Sequence, residues 1–227
     1  MYHSIELLLK HYSLAKTVQR KSVVIKRVFD IFASALGLLL LSPVFLIIAI
    51  LVRLKLGAPI FFRQTRPGKD CQPFEMIKFR TMIDAYDKDG NPLSDSERIT
   101  HFGRLLRKTS LDELPELWNV LKGDMSIVGP RPLLMRYLPY YTEAEMVRHE
   151  VKPGLTGLAQ VSGRNSATWE EKFELDLEYV ESKSLFLDFE IIFKTVWVVL
   201  KRSDVLDAAP QGPLDKYREG LNERKKL

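Results

Sequence analysis

Apolar residues crowd into one stretch of this chain. From Val28 to Val52, 20 of 25 residues are apolar, and Ile31 to Val52 carries no charge over 22 residues. A helix of about 20 apolar residues is long enough to cross the hydrocarbon core of a bilayer. Buried core helices rarely run so far without a polar residue. A secretory signal fits badly, because the run is too long, begins near residue 30 and is followed by no small-residue cleavage site. The pattern therefore predicts a membrane-associated helix over residues 26–55. Ser42-Pro43 falls in its middle, and proline removes a backbone donor and clashes with the preceding turn. Lys26 and Arg27 precede the run, and Arg53 and Lys55 follow it. Basic flanks favour the cytoplasmic side, here for both ends. A helix broken at Ser42-Pro43 that enters and leaves by the same leaflet satisfies both observations and is preferred over a kinked span. Asp30, at the edge of the run, is expected to pair with Lys26 or Arg27 one turn earlier.

Elsewhere the periods are shorter. Residues 1–25 read as a polar, mildly amphipathic lead-in. Residues 58–62 and 74–79 read as short strands separated by a turn at Pro67-Gly68, and 84–96 as a polar loop. His101 to Lys108 has helical spacing. Trp169 to Lys183 is an acidic helix with Phe173, Leu177 and Val180 as its apolar stripe. Phe186, Phe189, Phe193 and Trp197 then recur at helical spacing, either as core packing or as an interfacial helix among lipid headgroups. Residues 204–227 read as an exposed polar tail. The expected fold class is α/β, mostly helical with a small sheet. A compact domain over 56–203 would be carried by the membrane helix.

The 227 residues suffice for one domain with a sizeable core. The single cysteine, Cys71, excludes a disulfide framework and a cysteine-based zinc cluster, and the four histidines show no metal-binding spacing. Residues 1–63 hold nine Lys/Arg against two acids, whereas the remainder holds 25 against 27. The basic excess thus surrounds the apolar run, which favours an anionic membrane surface over nucleic acid as its partner.

Candidate chemistry concentrates in RLLRKTSLDELPELWNVLKGDMSIVGPRP, residues 104–132. A helix starting at Asp112 would place Pro115 in its first turn. Leu114, Leu117, Trp118 and Leu121 would form its buried face, with Gly123 ending it. Asp112 and Glu113 would then sit at a helix N-terminus, where two acids can serve merely as a cap. Their neighbours suggest more. Arg104, Arg107 and Lys108 precede them, Arg131 follows between two prolines, and Lys78 and Arg80 lie near a strand end. Arginine forks suit a phosphate or diphosphate.

The chain resembles a known family through Lys26-Arg27-x-x-Asp30, Ser42-Pro43, KFRTM (78–82), TSLDELPELWNVLKGDMSIVGPRP (109–132) and KPGLTGLAQVSGRN (152–165). These segments are similar to the bacterial sugar transferases, monotopic phosphoglycosyl transferases, and most of all to the small PglC-type enzymes. The likeness runs over about residues 24–203. It implies a cytoplasm-facing catalytic domain on a re-entrant helix at the bacterial inner membrane. It also implies transfer of a sugar 1-phosphate from a UDP-sugar to polyprenyl phosphate, with release of UMP. Asp112 would become covalently phosphorylated, and Glu113, with Asp112, would hold Mg²⁺. Lys78, Arg80, Arg107 and Arg131 would bind phosphate. A homodimer is left open. Among donors, acetamido-deoxy sugars are favoured over glucose or galactose.

Two other classes compete. A membrane-anchored glycoside hydrolase would use Asp112 and Glu113 as its carboxylate pair, but adjacent residues rarely flank a glycosidic bond at the ~5–9.5 Å such enzymes use. A non-enzymatic membrane adaptor would not depend on Asp112 at all.

Overall fold

The computed structural model describes residues 23–162, 167–201 and 211–224. It is mostly helical with two small sheets, as the sequence suggests. The lead-in before residue 23 and the end of the 152–165 motif lie outside the described residues.

The apolar run forms two helices, α1 (Val23–Leu40) and α2 (Ser42–Lys55), which meet at a bend of 63°. Among the described residues no single helix is long and apolar enough to cross a membrane, whereas the bent pair together is. The break has a local cause. Pro43 has no N–H to give the carbonyl of Leu39, four residues back, and the Ser42 hydroxyl bonds that carbonyl instead at 2.8 Å. The elbow exposes Leu39, Leu40, Leu46 and Ile47.

Both ends of the pair are fastened to the rest of the molecule. Asp30 is buried, and its Oδ1 accepts from Ser126 Oγ and Ile127 N, both at 3.0 Å. Lys26 instead reaches Asp188 at 2.6 Å, and Arg27 donates to the carbonyls of Val120 and Leu121 at 2.6 and 2.7 Å. The expected pairing of Asp30 with Lys26 or Arg27 is therefore wrong: a buried carboxylate finds backbone and hydroxyl donors across the fold, and each cation serves a different element. At the other end, Ile48, Val52 and Leu56 pack with Phe79 and Leu106 in one core cluster.

Strands β1 (Phe61–Pro67) and β2 (Pro73–Phe79) form an antiparallel hairpin in which Phe61 pairs with Phe79 and Pro67 with Pro73. A loop leads to the single-turn α3 (Asp95–Arg98) and then α4 (His101–Lys108). Gly103 lets α4 lie directly on the backbone of residue 81, where a Cβ would fall 1.9 Å from the Thr81 carbonyl. After a 3-10 turn at Leu111–Glu113, α5 spans Glu116–Lys122 and ends at Gly123 in the left-handed region, φ 101°. Strand β3 (Ser126–Val128) pairs in parallel with β4 (Gly154–Thr156), across an excursion containing α6 (Glu143–Met146). Gly154 is required there, since a Cβ would sit 2.1 Å from Gly129 N.

The C-terminal half supplies α7 (Leu158–Ser162), α8 (Trp169–Ser182) and α9 (Leu185–Lys201). Ile191 of α9 is buried with Val128, Leu158 and Tyr179. Its aromatic stripe is not core: Phe186, Phe193, Trp197 and Leu200 are exposed, Phe186 by 81%. Helix α10 (Leu214–Arg224) corrects the reading of the end as an exposed tail. Leu214 is buried against Tyr137, Trp169 and Phe173, and Arg218 pairs with Glu145 at 2.6 Å. One apolar residue at a helix start, with polar neighbours, leaves little pattern to read in advance.

Candidate active site

The site forms where β2, α4, the 3-10 turn and the Pro130–Pro132 segment converge. Helix α5 is docked by Asn119, which is fully buried. Its Oδ1 accepts from Ile77 N at 3.1 Å, and its Nδ2 donates to the Glu75 carbonyl at 2.7 Å. The amide thereby supplies the hydrogen bonds of a neighbouring strand and fixes Lys78, on β2, opposite the acidic turn. The buried side of α5 comprises Glu116, Leu117, Asn119 and Val120, while Trp118 is 52% exposed. Trp118 is thus misplaced by a purely apolar reading, because two polar side chains take up the inner positions.

Asp112 and Glu113 lie on the 3-10 turn rather than in the first turn of α5, whose N-cap is Pro115. The turn is entered through Ser110 in the left-handed region, φ 54°. Lys78 Nζ is 2.6 Å from Glu113 Oε1 and 3.1 Å from Glu116 Oε1. Arg131 Nη2 is 2.6 Å from the same Glu113 oxygen. Arg107 Nε donates to Thr81 Oγ1 at 3.1 Å, an arrangement that follows from the close seating of α4 at Gly103. Arg131 is held from behind: its carbonyl accepts from Arg148 Nη2 at 2.8 Å, and Arg148 is locked by Asp176 at 2.7 Å.

The structure therefore gathers Asp112, Glu113, Lys78, Arg107 and Arg131. It does not bring Arg80 into this cluster. That guanidinium bonds the carbonyls of Ala58 and Met82 and the carboxylate of Asp84, so it ties down the strand end and the following loop. Ser42 and Pro43 lie at the elbow between α1 and α2. Sequence reasoning missed Glu116, Asn119, Arg148 and Asp176. Of these, only Glu116 carried a visible signal, as a third acid close behind the Asp-Glu pair.

Electrostatics divides the acids. Burial raises the pKa of Asp112, and Glu113 adds to the effect, against Lys78, Arg131 and Arg107. A lowering by a helix terminus is not what this position experiences. Burial would also raise Glu113, but Arg131 and Lys78 outweigh it and bring its pKa down to about 2. Glu113 is therefore a fixed anion between two cations, and Asp112 is a desolvated carboxylate beside it. Such a carboxylate is a stronger nucleophile than a solvated one, provided cations neutralise the anion that it attacks.

As to Mg²⁺, no group of three or more acidic, His or Cys side chains converges among the described residues. Two adjacent carboxylates still match the usual protein share of a Mg²⁺ site, which takes one or two carboxylates and completes its shell with phosphate oxygens and water. Glu113 Oε1 already faces Lys78 and Arg131, so a cation bound here would share that carboxylate with them.

A recess of about 230 Å³ opens beside the cluster, lined in part by Arg66, Lys78, Glu116, Arg131, Tyr137 and Trp169.

Comparison with known proteins gives the family. The model of the family described as bacterial sugar transferase matches residues 21–202. The sugar transferase EpsL of Bacillus subtilis is 56% identical over 78% of this chain and 88% of its own length. The exopolysaccharide production protein ExoY of Rhizobium meliloti is 41% identical over 75% of this chain and 83% of its own. A UDP-glucose:undecaprenyl-phosphate glucose-1-phosphate transferase of Klebsiella pneumoniae is 43% identical over 78% of this chain, which covers 40% of that longer protein. With the family model spanning both the bent helix pair and the acidic turn, the chain belongs to the bacterial sugar transferase family and is a sugar-phosphate transferase.

Proposed function

We propose that this enzyme transfers a sugar 1-phosphate from a UDP-sugar to a polyprenyl phosphate such as undecaprenyl phosphate, releasing UMP, by way of a phosphosugar on Asp112. The observation that carries the proposal is a buried carboxylate set among Lys78, Arg107 and Arg131, in a molecule that also exposes a broad apolar surface. In the first step an Asp112 oxygen attacks the sugar-bearing phosphorus. The bond from that phosphorus to the bridging oxygen breaks, and UMP departs with the electron pair. In the second, a phosphate oxygen of the lipid attacks the same phosphorus and the bond to Asp112 breaks. This yields a polyprenyl diphosphate sugar and regenerates the carboxylate.

Each step sets anion against anion. Arg107 and Arg131 offer planar forks for phosphate oxygens, and Lys78 holds Glu113 in place while adding positive charge. When bound by Asp112 and Glu113, Mg²⁺ would neutralise diphosphate charge. Two successive displacements let a soluble donor and a lipid acceptor use one site without meeting.

The fastening of α1 and α2 supports a membrane arrangement. The start of α1 and the end of α2 both pack on the same domain, so both ends belong on one side of a bilayer, with the elbow dipping into it. That geometry supports a re-entrant helix, and the basic flanks Lys26, Arg27, Arg53 and Lys55 support a cytoplasm-facing site. The exposed stripe of α9 supports an interfacial helix, since exposed Phe193 and Trp197, the latter with Lys201 Nζ over its ring, suit the headgroup layer. The glucose in the name of the Klebsiella relative belongs to that protein, and the donor here stays open between glucose, galactose and acetamido-deoxy sugars.

The test is a panel of UDP-sugars, scored for UMP release with undecaprenyl phosphate in detergent or nanodiscs. One donor should release UMP and give a lipid-linked product. Release of free sugar with no UMP would instead point to a hydrolase.

A further inference from the structure

Glu116 has no part in the displacement steps, yet it is almost completely buried, at 2% exposure, and lines the recess beside the acidic turn. Its Oε1 takes an ion-pair contact from Lys78 at 3.1 Å, but has no hydrogen-bond partner among the described residues. Arg66 Nε, on the same recess, is buried and likewise lacks a partner among them, although its Nη2 bonds Gln64. A buried acceptor met only by an ion pair and a buried donor without a partner, on one cavity, are each costly. Such groups are retained when a ligand completes them. Tyr137 and Trp169 add aromatic surface to the same wall.

We infer that this recess receives the sugar ring of the donor, with Glu116 accepting from a ring hydroxyl or amide N–H and Arg66 donating to a neighbouring ring oxygen. A sugar's vicinal groups both donate and accept, so one ring satisfies both atoms at once. Position favours the sugar over the uracil base. One ammonium, Lys78 Nζ, bridges Glu116 and Glu113, so the Glu116 oxygen lies close to the reacting phosphate. The sugar is attached directly to that phosphate, whereas the base is separated from it by a second phosphate and the ribose. The inference rests on the phosphosugar-transfer reading above and makes the recess a determinant of which sugar is used.

The experiment is a set of cycles on UMP release and kcat/KM, using the accepted UDP-sugar and analogues in which each ring substituent in turn is replaced by hydrogen. In the unaltered enzyme, one such replacement should reduce kcat/KM about 10- to 100-fold, the scale of a hydrogen bond to a charged group. In Glu116→Ala the same replacement should cost less than about 3-fold, since the partner is already gone. Arg66→Met should show the same collapse for an adjacent position, and this second cycle stands should Glu116→Ala fail to fold. Penalties that stay equal in the unaltered enzyme and both variants at every position would overturn the inference. So would a penalty that collapses only for an N3-methyluridine donor, which would assign the recess to the base. If the unaltered enzyme releases no UMP with any donor, it is the transfer reading that fails.

Discussion

Burial drives the pKa of Glu116 up to about 7, with Glu113 adding to the rise and Lys78 and Arg131 opposing it. The unfolded chain would titrate this group near 4.5, so folding favours its protonated form. The folded state therefore loses stability as pH climbs from about 4.5 to 7, because ionisation must then occur out of water. Glu116→Gln removes the titration. Its melting temperature relative to the unaltered protein should improve between about pH 5 and pH 8, as measured by thermal unfolding in matched buffers. A difference that stays constant with pH would show that Glu116 ionises without cost. Arg148 and Asp176 act at the same scale from behind the site. Both are nearly inaccessible, and Arg148 also holds the Arg131 carbonyl. Asp176→Ala strands a buried cation, with an expected cost of about 3–5 kcal/mol in denaturant unfolding. The Arg131 backbone should loosen as well, lowering kcat/KM. Arg107→Ala and Arg131→Ala should each lose roughly 10²-fold or more in kcat/KM, with Lys at either position restoring only part. Near-normal kinetics in both Ala variants would reduce these arginines to surface charges.

The elements divide between those readable from pattern and those set by contacts. The bent helix pair, β2, α4, α8 and α9 were legible because each carries a period, a breaker or a run of β-formers over several residues; β1, read over 58–62, runs instead over Phe61–Pro67, where its polar residues are held by pairing with β2. Gly123 was legible as a helix stop for the same local reason. The start of α5 was not, because Pro115 fits either the first turn or the cap, and the choice falls to the Ser110 backbone and the docking of Asn119 on β2. The pairing of β3 with β4 was equally hidden: three-residue strands carry no period, and their union depends on close approach at Gly154. Within the site, the Asp-Glu pair and its cations were legible as a cluster of charge. Arg80 was assigned to it by sequence proximity alone, and the fold turns that side chain toward Ala58 and the Met82–Asp84 segment. Two element-scale predictions follow from the bend and the exposed stripe. Pro43→Ala restores the donor to Leu39 and should straighten the pair. Single cysteines at Val23 and Gly57, in a Cys71→Ser background, should then label from opposite sides of inverted vesicles instead of the same side. Trp197→Glu together with Phe193→Glu should weaken vesicle flotation while leaving the far-ultraviolet circular dichroism unchanged. Undiminished flotation would remove α9 from the membrane interface.

At the scale of the molecule, the apolar surfaces and the site belong to one design. Asp30, Lys26 and Arg27 tie α1 to β3, α9 and α5, so the acidic turn is held at a fixed distance from the elbow. In the proposed reaction a site near the headgroups would let a water-soluble donor and a lipid phosphate arrive in turn, with the carboxylate of Asp112 carrying the sugar phosphate between the two visits. That proposed intermediate is open to direct measurement. The most direct measurement is intact-protein mass spectrometry after brief incubation with the accepted UDP-sugar and Mg²⁺ in the absence of any polyprenyl phosphate. The account predicts one added sugar phosphate per chain, mapped to Asp112, with one UMP released per enzyme. Subsequent addition of lipid phosphate should remove the adduct, and Asp112→Asn should never form it. An adduct that persists in Asp112→Asn, or UMP release that begins only when lipid is present, would contradict it.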